Sequence, residues 1–499
     1  MLFNSIDFLI FFPVVYVVYY IFPAKLRYIW LLAASYYFYM QWNPIYILLL
    51  FGCTLITYAA GLIMEHAKKQ GSETGKRRRR TCLFSCVAVL LLLLGFFKYF
   101  DLAVSCLNTI LRWVRLEMVN WKSNVILPVG ISFYILQTMG YLIDVYRDDI
   151  YAEKNFFKYA LFVSFFPQLV AGPIERSRNL LVQLQKEHKF CYEELRKGIL
   201  LILYGLFCKI VIADRIAVIV DTVYDNYEVY PGLYIVFATL LFSIQIYCDF
   251  YGYSTIARGA ALSLGIRLTD NFQAPYFSKS VKEFWRRWHI SLSTWFRDYL
   301  YIPLGGNRRG KVRREMNLLF VFGVSGLWHG ALLGYIFWGF LNGIYQVIGD
   351  IFTAFRKKAA AITGEQIFGK DRFSARLLNG IFTFGLVSFA WLFFRAGGFR
   401  SALRLIESMT SVWNWNIFFD GSIYQLGVAR EYMLVTVAAI LVLMLVDSCK
   451  YHGRDVAELV LAQGWWFRVV CYASLMIVLL VFGCYGEIYD TQQFIYFQF

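Results

Sequence analysis

The sequence predicts an all-α, multi-pass membrane protein with roughly eleven to thirteen spanning or re-entrant helices. Three observations carry that prediction. Of 499 residues, 59% are hydrophobic and 19% aromatic, and only 16% are charged, a balance that a soluble fold cannot hide in its core. Apolar runs long enough to cross hydrocarbon recur from one end of the chain to the other. The basic residues gather in short stretches between those runs, as sorting of positive charge to one face of a membrane requires.

The first run, Phe8 to Phe22, has no basic residue ahead of it, and Tyr20-Ile21-Phe22-Pro23 stands where a cleavage site would need small residues. It reads as a retained span. Tyr46 to Met64, Cys82 to Phe97, Leu233 to Tyr247, Leu318 to Phe340, Ile381 to Phe394, Met433 to Val446 and Val469 to Phe482 follow. Several runs are short or broken by Gly or Pro, which predicts that some enter the bilayer without crossing it. With no repeat, low-complexity tract or soluble domain, the chain reads as one membrane domain, 1–499. The polar and aromatic chemistry is densest at about 127–342, the expected catalytic core, with C-terminal helices and a tail over 343–499.

The net charge of +16 comes without any nucleic-acid module, so no nucleic-acid partner is expected. Positive-inside sorting places Lys68 to Arg80, Arg356-Lys357-Lys358 and Lys450 to Arg468 in the cytoplasm. Counting crossings from those loops puts the N-terminus outside, together with Glu487, Asp490 and the C-terminal tail. The ten cysteines are scattered singly and read as packing residues. No His, Asp, Glu and Cys set has metal-ligand spacing, and no Gly-x-Ser-x-Gly elbow is present.

From Lys279 to Tyr299 the pattern is an amphipathic helix. Trp285, Trp288, Leu292, Trp295, Phe296 and Tyr299 fall on one face, and Lys282, Arg286, Ser293 and Arg297 on the other. Such a helix is expected at the membrane boundary with its rings at headgroup depth and His289 at the seam. Arg308, Arg309, Lys311, Arg313 and Arg314 follow. They are either a phosphate-binding loop for a nucleotide-bearing donor, with Arg308, Arg309 and Arg313 as its contacts, or a positive-inside anchor. The apolar run Leu318 to Phe340 holds one ionisable residue, His329. A buried neutral imidazole suits a general base for an attacking hydroxyl; packing is the alternative reading. Gly326, Gly330 and Gly334 would leave a flat helix face beside it, for a neighbouring helix or a thin substrate. His66, His188 and His452 read as surface residues.

These residues resemble the membrane-bound O-acyltransferases, in particular their bacterial alginate O-acetyltransferase branch (AlgI-like and PatA-like). The likeness runs nearly the whole length of the chain. It rests on Met1-Leu2-Phe3-Asn4-Ser5, Leu127-Pro128-Val129-Gly130-Ile131-Ser132-Phe133, Phe166-Pro167-Gln168-Leu169-Val170-Ala171-Gly172-Pro173-Ile174 and Tyr247-Cys248-Asp249-Phe250-Tyr251-Gly252-Tyr253-Ser254. It continues through Asn271-Phe272, Phe284-Trp285-Arg286-Arg287-Trp288-His289-Ile290-Ser291-Leu292-Ser293, Tyr301-Ile302-Pro303-Leu304-Gly305-Gly306 and Leu327-Trp328-His329-Gly330.

The resemblance implies helices around a central reaction tunnel, with His329 the catalytic histidine and His289 a second histidine beside the path. It implies no permanently bound cofactor, acetyl coenzyme A as donor substrate, and a bacterial cell membrane as the location. Asp249, Asn271 and Gln273 lie in family-like motifs without an assigned role. The ending Phe494-Ile495-Tyr496-Phe497-Gln498-Phe499 resembles a terminal motif of acyl-export systems. There the tyrosine, here Tyr496, receives the acyl group; anchoring or docking a partner is the other reading. An extracytoplasmic serine-hydrolase-like O-acetyltransferase is the implied partner, and a polysaccharide the final acceptor. D-alanyl transfer to teichoic acid, a transporter or exporter, and a scaffold are the alternatives.

Overall fold

The computed structural model describes residues 1–121, 127–170, 172–363, 373–485 and 495, with backbone alone over 355–363. Every regular element among the described residues is helical, as hydrocarbon demands of a chain that must satisfy its own backbone polar groups. Among the described residues six helices are long and apolar enough to cross a membrane: Tyr46–Lys69, Glu73–Trp113, Leu233–Ser263, Phe373–Arg395, Arg430–Tyr451 and Trp465–Phe482. The first apolar run forms the 16-residue helix Ile6–Ile21, with Pro13 inside it. The basic run Lys76 to Arg80 is helical and opens the Glu73–Trp113 helix, where Ser72 accepts the Gly75 N–H at 3.0 Å.

The chain divides into two compact units, Met1–Ile202 with Ser254–Thr269, and Leu203–Tyr253 with Asp270–Phe499. In the first unit, buried polar groups tie apolar helices together. Tyr159 donates to Thr57 at 2.8 Å, Gln168 donates to Gln137 and Gln137 to the Phe162 carbonyl at 2.7 Å each, and Ser177 donates to Asp144 at 2.7 Å. Each pairing supplies the partner that a desolvated polar group needs. Lys68 and Arg79 both reach Asp148, at 3.0 and 2.7 Å, closing the end of that unit where the basic run begins.

The second unit holds the two histidines. Its apolar run Leu318 to Phe340 is not one segment, because Lys311–His329 ends at an extended Gly330 (φ −174°) and a second helix, Leu333–Thr363, returns beside the first. The close approach depends on glycine. A Cβ on Gly326 would stand 2.3 Å from the Tyr335 carbonyl oxygen, and one on Gly339 2.2 Å from that of Phe322. The expected flat face of three glycines therefore does not form: Gly330 lies in the turn, and Gly334 faces the Phe393 carbonyl from the second helix. Gly326 and Gly334 each serve helix packing, but against different partners: the next helix in the chain for Gly326 and Phe373–Arg395 for Gly334.

Cys53, Cys86, Cys208, Cys248 and Cys484 are buried as packing residues should be, but Cys106 and Cys191 are exposed. His66 and His452 are exposed and His188 half-buried, in keeping with the surface reading.

Candidate active site

Lys279 to Tyr299 is broken at its most interesting residue. Ser280 accepts the Glu283 N–H at 3.1 Å and Glu283 accepts the Lys279 N–H at 3.0 Å, a reciprocal cap that starts the short helix Val281–Arg287. His289 then takes up φ +44° and ψ 53°, the left-handed region, where a residue with a Cβ carries roughly 1–2 kcal/mol of strain. A second helix, Ile290–Phe296, begins at once. Its first N–H groups are met from outside: the Asn271 carbonyl accepts from Ile290 at 3.0 Å and the Asn271 side chain from Ser291 at 3.2 Å. Asn271 thus caps a helix to which it does not belong. Helical periodicity gives no warning of the break, because the strain is held by this remote segment.

The break also moves the aromatic face. Trp285, Trp288, Leu292, Trp295, Phe296 and Tyr299 are between 1% and 8% exposed, packed inside the protein. Lys282, Arg286 and Arg297 keep the exposed face predicted for them.

Both imidazoles lie in this interior, His289 1% and His329 4% exposed. They share one neighbour. The Trp328 ring stands 6.2 Å from that of His289 and 4.9 Å from that of His329. Phe250 meets His289 edge to face at 4.7 Å, while Trp338 and Phe394 meet His329 at 5.1 and 5.4 Å. Trp391 closes the shell, 5.1 Å from Trp288, 5.3 Å from Trp338 and 5.3 Å from Phe394. Such a wall excludes water and leaves a low dielectric in which charge interactions are strong. Burial pushes the His289 imidazole down to about 3, so it stands there as a neutral group.

The basic loop lies at the far end of the His329 helix. Arg308, Arg309 and Arg313 are exposed, whereas Arg314 pairs with Asp350 at 3.2 Å. The helix from Lys311 to His329 is 19 residues long, so its two ends stand about 27 Å apart at 1.5 Å per residue. The loop and the histidine do not form one contact site.

Tyr496, Glu487 and Asp490 lie outside the described residues, but Ile495 is within them. Its N–H donates to Asp249 at 2.7 Å, and its side chain is 4% exposed. Asp249 belongs to a buried charge cluster with Lys209 and Asp214, whose carboxylates stand 2.6 and 2.7 Å from the ammonium. Asp249 directly precedes Phe250, the residue packed on His289. The sequence pattern assigns Lys209 and Asp214 no role, although a lysine and an aspartate five apart in an apolar stretch are an intramembrane-charge signal. Among the described residues no cluster of three or more His, Cys, Asp or Glu is placed to hold a metal ion.

The buried pair of histidines at helix breaks, within an all-helical fold with membrane-length helices, is the candidate active site. Residues 147–396 match the family model of the membrane-bound O-acyltransferases. The chain is 38% identical over 420 residues to a probable alginate O-acetylase of Pseudomonas putida, covering 84% of this chain and 82% of that one. It is 33% identical over 449 residues to a peptidoglycan O-acetyltransferase of Helicobacter pylori, covering 83% and 80%. Likeness to a teichoic acid D-alanyltransferase of Streptococcus thermophilus is weaker, 28% over 293 residues, covering 55% and 70%. The chain belongs to the membrane-bound O-acyltransferase family and is an O-acyltransferase enzyme.

Proposed function

We propose that this enzyme is an O-acetyltransferase that takes acetyl from a cytoplasmic thioester, acetyl coenzyme A, and delivers it across the membrane for O-acetylation of an extracytoplasmic polysaccharide. The observation that carries the reading is the pair of buried imidazoles that both neighbour Trp328, each at a helix break. His329 takes the proton of an acceptor hydroxyl as the oxygen bonds to the thioester carbonyl carbon. The tetrahedral adduct collapses, the C–S bond breaks, and the departing thiolate regains the proton from His329. His289, neutral and fixed by its backbone, orients the reacting groups.

The acceptor at this step is the phenol of Tyr496, and a serine-hydrolase-like partner outside the cell carries the acetyl onward. In support, the docked neighbour Ile495 is bonded to the residue that precedes Phe250 of the histidine shell. Arg308, Arg309 and Arg313 bind the donor's phosphates, and the length of the His329 helix requires that the donor present its thioester on an extended arm. Acetyl is favoured over D-alanyl because the relatives named for O-acetyl transfer match far more of the chain.

The experiment is complementation of a strain lacking this gene, with mass analysis of ester-linked acetyl on its polysaccharides. The wild-type chain restores the ester. Retention of it by His329→Ala, expressed and folded, would end the catalytic assignment, and retention by Tyr496→Phe would end the relay alone.

A further inference from the structure

A buried cluster that includes Asp249, the residue before Phe250, contains one ammonium and two carboxylates. Lys209, Asp214 and Asp249 are 2%, 4% and 3% exposed, and such a set is stable only when its remaining acceptor sites are filled. Lys209 reaches Oδ1 of Asp249 at 2.6 Å, and Oδ2 of the same carboxylate accepts the Ile495 N–H at 2.7 Å. The second oxygen of Asp249 is therefore directed at a backbone amide of the C-terminal segment.

Two local features build this geometry. A Cβ on Gly252 would stand 2.7 Å from the Gly205 carbonyl oxygen and 3.3 Å from the Lys209 Cβ, so only glycine lets the helix of Asp249 come close enough for the lysine to reach it. The chain leaving the last spanning helix is fastened to the same segment: Arg215 donates to the Phe482 carbonyl at 2.5 Å, and the Cys484 N–H to that of Ile210 at 2.9 Å. The 207–215 stretch thus holds the root of the tail and, through Lys209, the carboxylate that holds its end.

We infer that Asp249, oriented by Lys209, is a receptor for the chain's own C-terminal segment, reading a backbone N–H at position 495. Asp249 and Lys209 are positioning residues on this view. The use of this docking in acyl transfer rests on the relay reading, but the docking itself does not.

Hydrogen exchange on the full-length protein in detergent or nanodiscs, followed at the C-terminal peptide, tests the docking. The amide of residue 495 should exchange slowly in the wild type, and about tenfold or more faster in Asp249→Ala, from loss of a bond to a charged acceptor. Asp249→Asn, which keeps an acceptor oxygen, should restore part of the protection. Ile495→Pro removes the donor and leaves the charge cluster untouched; it should free the segment without changing exchange in Lys311–His329, and should lower acetyl transfer. Unchanged tail exchange in Asp249→Ala would overturn the proposal. Should that variant not fold, full acetyl transfer and unchanged tail protection in Ile495→Pro would overturn it equally. Tyr496→Phe separates the two ideas: slow exchange at 495 with transfer lost supports both, and slow exchange with transfer kept supports docking while removing the relay.

Discussion

The imidazole of His329 meets the indole of Trp338 at 5.1 Å with the two rings at 89°. The indole belongs to the helix that returns from the Gly330 turn, so the hairpin sets the orientation of the ring. His329→Ala should lower acetyl transfer by roughly 10²–10⁴-fold, the usual scale for a general base. Thermal stability in detergent should stay near that of the wild type. Trp338→Phe keeps an edge contact and should lower turnover by less, which labelled acetyl coenzyme A with purified membranes can measure.

His289 offers a test of strain at a candidate site residue. Its φ of +44° is tolerated best by Gly and Asn. His289→Asn should fold as well as the wild type yet transfer acetyl poorly. His289→Val should unfold at lower temperature, by roughly 1–2 kcal/mol of stability, since a β-branched side chain is less tolerant still of that region. Melting curves alongside activity would show stability and transfer responding separately.

The same histidine predicts a pH dependence of stability. An unfolded chain protonates it near the ordinary 6.5, whereas burial in the folded state delays protonation to about 3. Between those values the unfolded state binds the extra proton, so stability holds above pH 6.5 and falls as the pH drops toward 3. His289→Asn should show a shallower loss of melting temperature over that window. Equal slopes for the two proteins would contradict the neutral, buried state.

The hairpin predicts which glycines are indispensable. Gly326→Ala and Gly339→Ala push a methyl group into a neighbouring carbonyl oxygen and should destabilise by about 1–3 kcal/mol or more, with activity lost alongside because His329 shifts. Gly349, in the same returning helix, has nothing within 4 Å of a built Cβ. Gly349→Ala should be neutral or stabilise by up to about 1 kcal/mol through helix propensity.

For the basic loop, replacing Arg308, Arg309 and Arg313 together by Gln should raise KM for acetyl coenzyme A several-fold and leave kcat nearly unchanged, since the loop is a helix length from His329. The effect should shrink at high salt. An unaltered KM with disturbed membrane orientation would identify the loop as an anchor.

Composition and charge spacing alone determined that this is a helical membrane protein, and the lone histidine in an apolar run marked His329, because lipid makes each of these features costly unless it serves a purpose. Helical periodicity failed where distant groups overrule local preference. The His289 break is held by Asn271, the Gly330 turn by backbone contact across a hairpin, and the tail by Asp249. In each case the partner lies outside the span that helical periodicity reads, nine to seventeen residues along for the hairpin, about twenty for Asn271 and 246 for Asp249, so local pattern does not report the interaction. Only the tertiary structure could bring Trp328 to His289 as well as to its chain neighbour His329, and Ile495 to the Asp249 carboxylate.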